Sequence, residues 1–387
     1  MGMMNIRHTP DTDPCFTPPH CPNQHCPFHM PGIPEWQWRS KGIYTRRSDQ
    51  RSFRRFQCRH CTRTFSTRTF CSDYWLQQRD LLPKIADIAS NGAGLRQIAR
   101  HYHVAHSTVA RLIARSGRHC LLFHKQETRS MKINEPIAFD GFETFEYSQY
   151  FPFHLNIAAG RESWFLYEVT DSPLRRKGRM TPRQRRRRTE LEAELGRPDP
   201  KAVELGTATL LWSLLEKVPT DKPAVLESDE HPAYARAIRR LVREAEKAKK
   251  KVSAIIHNTI SSRAARTRDN PLFAINLADL LFRHSHANHR RETIAFSKRR
   301  MAAISRAQVF RVWRNWVKRR KENGGETTAA MVVGVATGRL KWNDVFRSRL
   351  FPRHAGLAEF ECRYYAAKVF TAALGKRQQV HKLRLAF

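Results

Sequence analysis

The sequence predicts an α/β protein: a mixed five-stranded sheet with helices, preceded by a small metal-bound module and a helical domain. Three observations lead there. Four cysteines fall in two short pairs, Cys21 with Cys26 and Cys58 with Cys61. Two amphipathic helical patterns meet at a turn around Val104. From Lys132 onwards, apolar runs of strand length alternate with helical ones. The expected division is 1–75 for the metal module, 76–128 for the helical domain, 129–300 for the sheet domain with a basic insert at about 174–215, and 301–387 for a helical basic extension.

In the metal module, "CPNQHC" and "CRHC" are two thiolate pairs on tight turns. Such pairs close a tetrahedral zinc site whose binding energy folds a segment lacking its own core. The second pair follows an apolar strand, "RRFQC", and has an aromatic just beyond it, which is a zinc-ribbon layout. The first pair has four intervening residues instead of two, and Cys15, His25 and His29 stand near enough to compete for a ligand place. Cys71, Cys120 and Cys362 have no spaced partner and read as ordinary semi-buried thiols.

Leu81 to Ala89 has helical spacing, and Asn91-Gly92 punctuates the chain. "GLRQIARHYHVAHSTVARLIARSG" then carries one apolar stripe at Leu95, Ile98 and Ala99 and a second at Val109, Leu112 and Ile113. His106-Ser107-Thr108 offers capping hydroxyls where the second helix should start. The segment resembles the helix-turn-helix of bacterial regulators and recombinases, whose second helix enters the major groove. That places His106, Ser107, Thr108, Arg111 and Arg115 at base edges.

The charge agrees with such a partner. The 387 residues hold 70 Lys and Arg against 35 Asp and Glu, a formal net charge of +35. Each cation set against a phosphate releases condensed counterions, so this excess matches a long polyanion such as double-stranded DNA. Charge alone names the partner and not the activity. Eight cysteines in a chain this long do not make a secreted disulfide framework. Met1–Met30 lacks the apolar core of a signal peptide, and no apolar run approaches the roughly 18–20 residues that span a bilayer. A soluble protein without a membrane partner is expected, cytoplasmic, or nuclear if the host has a nucleus.

In the sheet domain, "KINEPIAFDGFETF", "PFHLNIAAG" and "SWFLYEVTD" read as three successive strands. A basic helical stretch follows, then "KPAVLESDEHPAY" as a short buried strand, a helix, "KVSAIIHNTI" as a fifth strand, and a long helix from Pro271 to about Arg291. The order β-β-β-α-β-α-β-α is that of the ribonuclease-H-like fold. In that fold the fourth strand neighbours the first, which would bring Asp229 beside Asp140, and the helix after strand five offers Asp279. Two divalent cations about 4 Å apart need several shared carboxylate oxygens, and three converging acids supply them.

These segments resemble bacterial insertion-sequence transposases that cut DNA with three acidic residues and carry an N-terminal zinc ribbon. "ESDEHPAY" looks like the second-acid segment, with an aromatic, Tyr234, five residues after Asp229. "NLADLLFRHSHANHRR" looks like the third-acid helix, with Asn276 three residues before Asp279 and Phe282 three after. The resemblance covers roughly Cys21 to Arg300. It departs at the third acid, usually Glu and here Asp, with Glu292 as the rival. The resemblance implies a transposase of a bacterial insertion sequence, working on the nucleoid as a homodimer or higher oligomer. It implies catalytic Mg²⁺ or Mn²⁺ at Asp140, Asp229 and Asp279 beside structural Zn²⁺. It also implies that Arg283 and His286, on the face of Asp279, contact the scissile or terminal phosphate. Glu143 and Glu230 read either as supports behind the metal ligands or as solvated neighbours.

Arg185, Arg186, Arg187 and Arg188 form a run that would repel itself unless phosphates lay close. "AQVFRVWRNWVKRRK" reads as an amphipathic basic helix, and the rest of the extension either packs on the core or meets a second protomer. The competing functions are a non-catalytic helix-turn-helix protein, including a domesticated transposase remnant, and a structure-specific nuclease. The acids argue against the first, and the two DNA-binding modules against the second.

Overall fold

A computed structural model describes residues 13, 15–47, 50–290, 292–323, 325–378 and 380. The first twelve residues of the Met1–Met30 segment and the last seven of the extension lie outside the described residues.

The N-terminal module is an antiparallel sheet of β1 (Trp38–Thr45), β2 (Ser52–Cys58) and β3 (Thr64–Ser66), in that order. Phe56 and Phe65, paired across β2 and β3, bury with the cysteines and Phe70 in a small core of their own. One far residue, Phe351, completes that core.

Three helices follow: α1 (Leu81–Ser90), α2 (Leu95–His101) and α3 (His106–Glu127). The predicted stripes face the core: Ile98 and Ala99 on α2 are buried and Leu95 half-buried, and Val109, Leu112 and Ile113 on α3 are buried. Two expectations change. Ala105 is the N-cap of α3 and gives no side-chain cap, so Ser107 and Thr108 sit inside the first turn. The helix also runs on past Gly117, because its second half is apolar: Cys120, Leu121, Leu122 and Phe123 are buried.

The main sheet contains β4 (Ile137–Phe145), β5 (Pro152–Gly160), β6 (Leu166–Pro173), β7 (Ala224–Ser228) and β8 (Ile255–Thr259), in the order β6-β5-β4-β7-β8. The first three pair antiparallel, whereas β7 lies parallel to both β4 and β8. Between β6 and β7 come α4 (Pro182–Leu195) and α5 (Ala202–Leu215), and α6 (Pro232–Lys247) joins β7 to β8. The two helices of the insert differ. α4 buries no residue, while α5 is apolar and packs on β5, β6 and α6. α7 (Phe273–Ser285) packs on β4 and β5 and ends earlier than expected.

The predicted amphipathic helix of the extension is instead central. α8 (Arg300–Val312) and the π-helical turn Trp313–Val317 bury nearly every residue. The apparent basic face points inwards, and two of its polar side chains find partners there. Arg311 forms a buried ion pair with Glu168, and Asn315 gives and takes backbone hydrogen bonds with Leu166 on edge strand β6, at 2.9 and 2.8 Å. α8 lies along α3, and Gly117 permits the approach: a Cβ there would stand 2.6 Å from the Ser305 carbonyl. The remaining extension packs back on the body, where Val345 and Phe346 join the core and the Arg349 N–H donates to Phe70 O at 2.7 Å. One apolar core therefore runs through α1–α3, the main sheet and the extension, crossing the expected boundaries at 128 and 300. No described helix is long and apolar enough to cross a membrane.

Candidate metal centres

The four cysteines converge as the spacing predicts. Cys58 ends β2, Cys61 stands on the turn into β3, and Cys21 and Cys26 come from the preceding loop. Their Sγ atoms all lie within 4.8 Å of one another, Cys21 to Cys61 at 3.5 Å. A tetrahedral ion with bonds of about 2.3 Å sets its sulfurs about 3.8 Å apart. The cluster could therefore hold a structural metal such as zinc. The Trp36 indole donates to Cys58 Sγ at 3.3 Å, fixing a ligand from behind. Burial pushes the Cys21 thiol far up and the Cys26 thiol up to about 11, the penalty a bound cation would relieve. Of the expected competitors, Cys15 and His25 are exposed and outside the cluster, while His29 belongs to a different group.

The acids meet through the register of the sheet. β4 and β7 pair Ile137 with Leu226 and Ala138 with Glu227, so two more residues set Asp140 level with Asp229, just past the end of β7. Register partners in a parallel pair share a face, about 4.8 Å apart. Phe142, two residues on and so on the same face, meets Phe282 of α7 at 5.1 Å. Asp279 precedes Phe282 by one turn and is carried to the same face.

All three carboxyls are half-buried. Asp140 Oδ1 accepts from the Gly141 N–H at 2.7 Å and from the Tyr234 hydroxyl at 2.8 Å. Asp229 Oδ1 accepts from the His231 N–H at 2.9 Å. Asp279 accepts no hydrogen bond among the described residues. Burial, followed by the charge of Asp229, raises the Asp140 pKa. Burial, followed by the charge of Asp140, pushes Asp279 up to about 8, although Arg283 and Arg266 pull it down. Asp140 thus stands between two acidic neighbours. The trio is looser than the thiolates, since no set of one oxygen from each lies within 4.8 Å. Gly141 is needed here because His154 lies over it, and a Cβ would come 2.3 Å from Nδ1. His154 sits 3.9 Å from Glu143, and that hydrogen-bonding partner lowers the Glu143 pKa. Glu230, exposed, accepts from the Ser262 N–H at 3.3 Å. Glu292 is exposed in a loop with φ 53°.

The basic residues separate into surface and interior. His106, Ser107 and Arg111 are exposed at the start of α3, with Arg111 donating to Thr108 Oγ1 at 3.2 Å. Arg115 is not on that surface. Its guanidinium holds the carbonyls of Ser72 and Tyr74 at 2.6 and 2.7 Å, and burial lowers its pKa to about 10. His286 is fully buried and stacked on Phe282 at 5.4 Å, so it cannot face a phosphate. Arg283 lies over Phe142 at 4.4 Å and donates to Glu143 O at 3.3 Å, at the rim of the acids. Arg185, Arg186 and Arg187 are exposed on α4, while Arg188 is half-buried against Glu192.

Sequence reasoning missed the donor role of Tyr234 and a trio of histidines, His20 and His29 buried and His354 half-buried. His20 adjoins Cys21 in sequence and was visible there; His354 had no local signal. Set against known proteins, the chain matches no family model and no curated sequence.

Proposed function

We propose that this chain is the DNA transposase of an insertion sequence, cleaving DNA and transferring 3′ ends with the carboxylates of Asp140, Asp229 and Asp279. The observation that carries the reading is the crowding of three acids around Asp140, one of them raised to about 8 and without a hydrogen-bond donor. Such a site is unfavourable when empty and is relieved by divalent cations. The strand order β6-β5-β4-β7-β8, with β7 parallel to β4, supports a ribonuclease-H-like fold, which presents acids in this way.

Asp140, between the other two, would be the shared ligand of two Mg²⁺ or Mn²⁺ ions, with Asp229 and Asp279 each serving one. Bound there, such ions activate the attacking water or 3′-hydroxyl and stabilise the leaving oxygen. The chain's own part is to hold the ligands still. Tyr234 and the Gly141 N–H occupy Asp140 Oδ1, the turn at His231 occupies Asp229 Oδ1, and the second oxygens are left for cations. Arg283, at the rim, is placed to meet a phosphate. The exposed start of α3 would read element ends through His106, Ser107, Thr108 and Arg111, and Arg185 to Arg187 on α4 would grip backbone phosphates. The formal charge of +35 supports the same partner.

The test is replacement of each acid by its amide. Asp140→Asn, Asp229→Asn and Asp279→Asn should each lower Mg²⁺-dependent strand cleavage by roughly 10³-fold or more while leaving DNA affinity nearly unchanged. Glu292→Gln should cleave normally; if it is inactive and Asp279→Asn is active, Glu292 is the third ligand. Undiminished cleavage by all four variants would leave a DNA-binding protein without this chemistry.

A further inference from the structure

We propose that His20, His29 and His354 form a second metal site, where three neutral imidazoles take one divalent transition-metal ion of the zinc class and fasten the C-terminal extension to the ribbon. One ring nitrogen of each lies within 4.8 Å of one from both others. Backbone carbonyls fix the tautomers. The Nδ1 atoms of His20 and His29 approach Cys21 O at 3.1 and 2.9 Å, and Nε2 of His354 approaches His29 O at 2.8 Å. A carbonyl only accepts, so each of those nitrogens carries the proton, and the opposite nitrogen carries a lone pair.

Three lone pairs thus remain: Nε2 of His20, Nε2 of His29 and Nδ1 of His354. Nε2 of His29 is buried without any hydrogen-bond partner, an arrangement that costs free energy unless something binds there. Neutral imidazole with its far N–H on a carbonyl is the form that ligates zinc-class ions. The neighbouring four thiolates around one divalent ion would leave net negative charge, which offsets the arginines nearby. Packing alone accounts for the edge-on rings, His20 against His354 at 4.5 Å and against Phe351 at 4.8 Å. It gives no reason for a ring nitrogen of each histidine to gather within 4.8 Å of the others, with Nε2 of His29 left unpartnered.

The experiment counts metal on the full-length chain, loaded with zinc and dialysed against a weak chelator. Wild type should keep about two zinc ions per chain. His354→Phe, which keeps a ring against Phe351, should keep about one, as should His354→Ala. After cobalt substitution, an unchanged thiolate-to-cobalt band in His354→Phe shows that the cysteine site survives. Wild type holding a single zinc overturns the proposal whatever the variants do, and so does a His354→Phe protein that binds as much zinc as wild type. His25→Ala, removing an exposed histidine, should change nothing.

Discussion

The four cysteines and the three aspartates are both candidate cation sites, and they are built in opposite ways. The thiolates come from one small ribbon, lie within 4.8 Å of one another, and are backed by the Trp36 indole. The aspartates come from two strands and a helix, stand further apart, are half-buried, and leave oxygens without donors. The first arrangement is closed: with four protein ligands an ion has no vacant place, and its binding energy becomes folding energy. The second is open. Burial and then the charge of Asp229 raise the Asp140 pKa, burial and then the charge of Asp140 raise that of Asp279, and on the proposed reading ions held there would also touch a substrate. On the proposed reading, one site would hold the ribbon together, whereas the other would put the strain of its charges to use.

The comparison breaks if removing a thiolate does no more than removing a carboxylate. Cys58→Ser should lose the ribbon metal and unfold the module, since structural zinc contributes on the order of 10 kcal/mol in small domains. Elemental analysis and limited proteolysis would register it; stable wild-type protein without zinc would remove the basis of the contrast. A smaller effect is expected at the surface. Arg111→Ala should reduce discrimination between element-end and random DNA by about 1–3 kcal/mol, while neutralising Arg185 to Arg187 should weaken all DNA alike and flatten the salt dependence. Equal loss of specific and random binding by both would refute the division between α3 and α4.

The smallest effect sharpens the charge argument. Burial, followed by the charge of Asp140, pushes the Asp279 carboxyl up to about 8 from its ordinary 3.8. The folded state therefore binds more protons between those values, and stability falls as pH rises from about 4 through 8. Asp279→Asn should melt higher than wild type by about 2 °C above pH 8, and the gap should close towards pH 4. Adding Mg²⁺ should narrow it as well. Calorimetry showing a pH-independent difference would mean that charge is not what strains the site.

Much of this was legible in the sequence because it is local. All five strands of the main sheet announce themselves as apolar runs, and the Asp140–Asp229 pairing follows from which strand neighbours which. Interior partners are not local. Arg115 sits at helical spacing from Arg111 and reads as its companion, yet its carbonyl partners lie on the loop at Ser72 and Tyr74. Arg311 of α8 reads as part of a solvent face because Glu168, which neutralises it, is on a distant strand. His354 closes a cluster begun at His20, and no spacing rule spans that distance.

The pairing of α3 with α8 has a consequence for how the chain is made. The two helices are separated by roughly 170 residues, and synthesis at about 5–20 residues per second takes on the order of 10–30 seconds to cover that stretch. Throughout that interval the face of α3 that packs on α8 is uncovered, and Phe123 lacks the Trp316 ring it meets at 5.3 Å in the finished fold. The nascent helix must be shielded by chaperones or wait loosely folded, and a ribosome that stalls before Arg300 releases a sticky, aggregation-prone fragment.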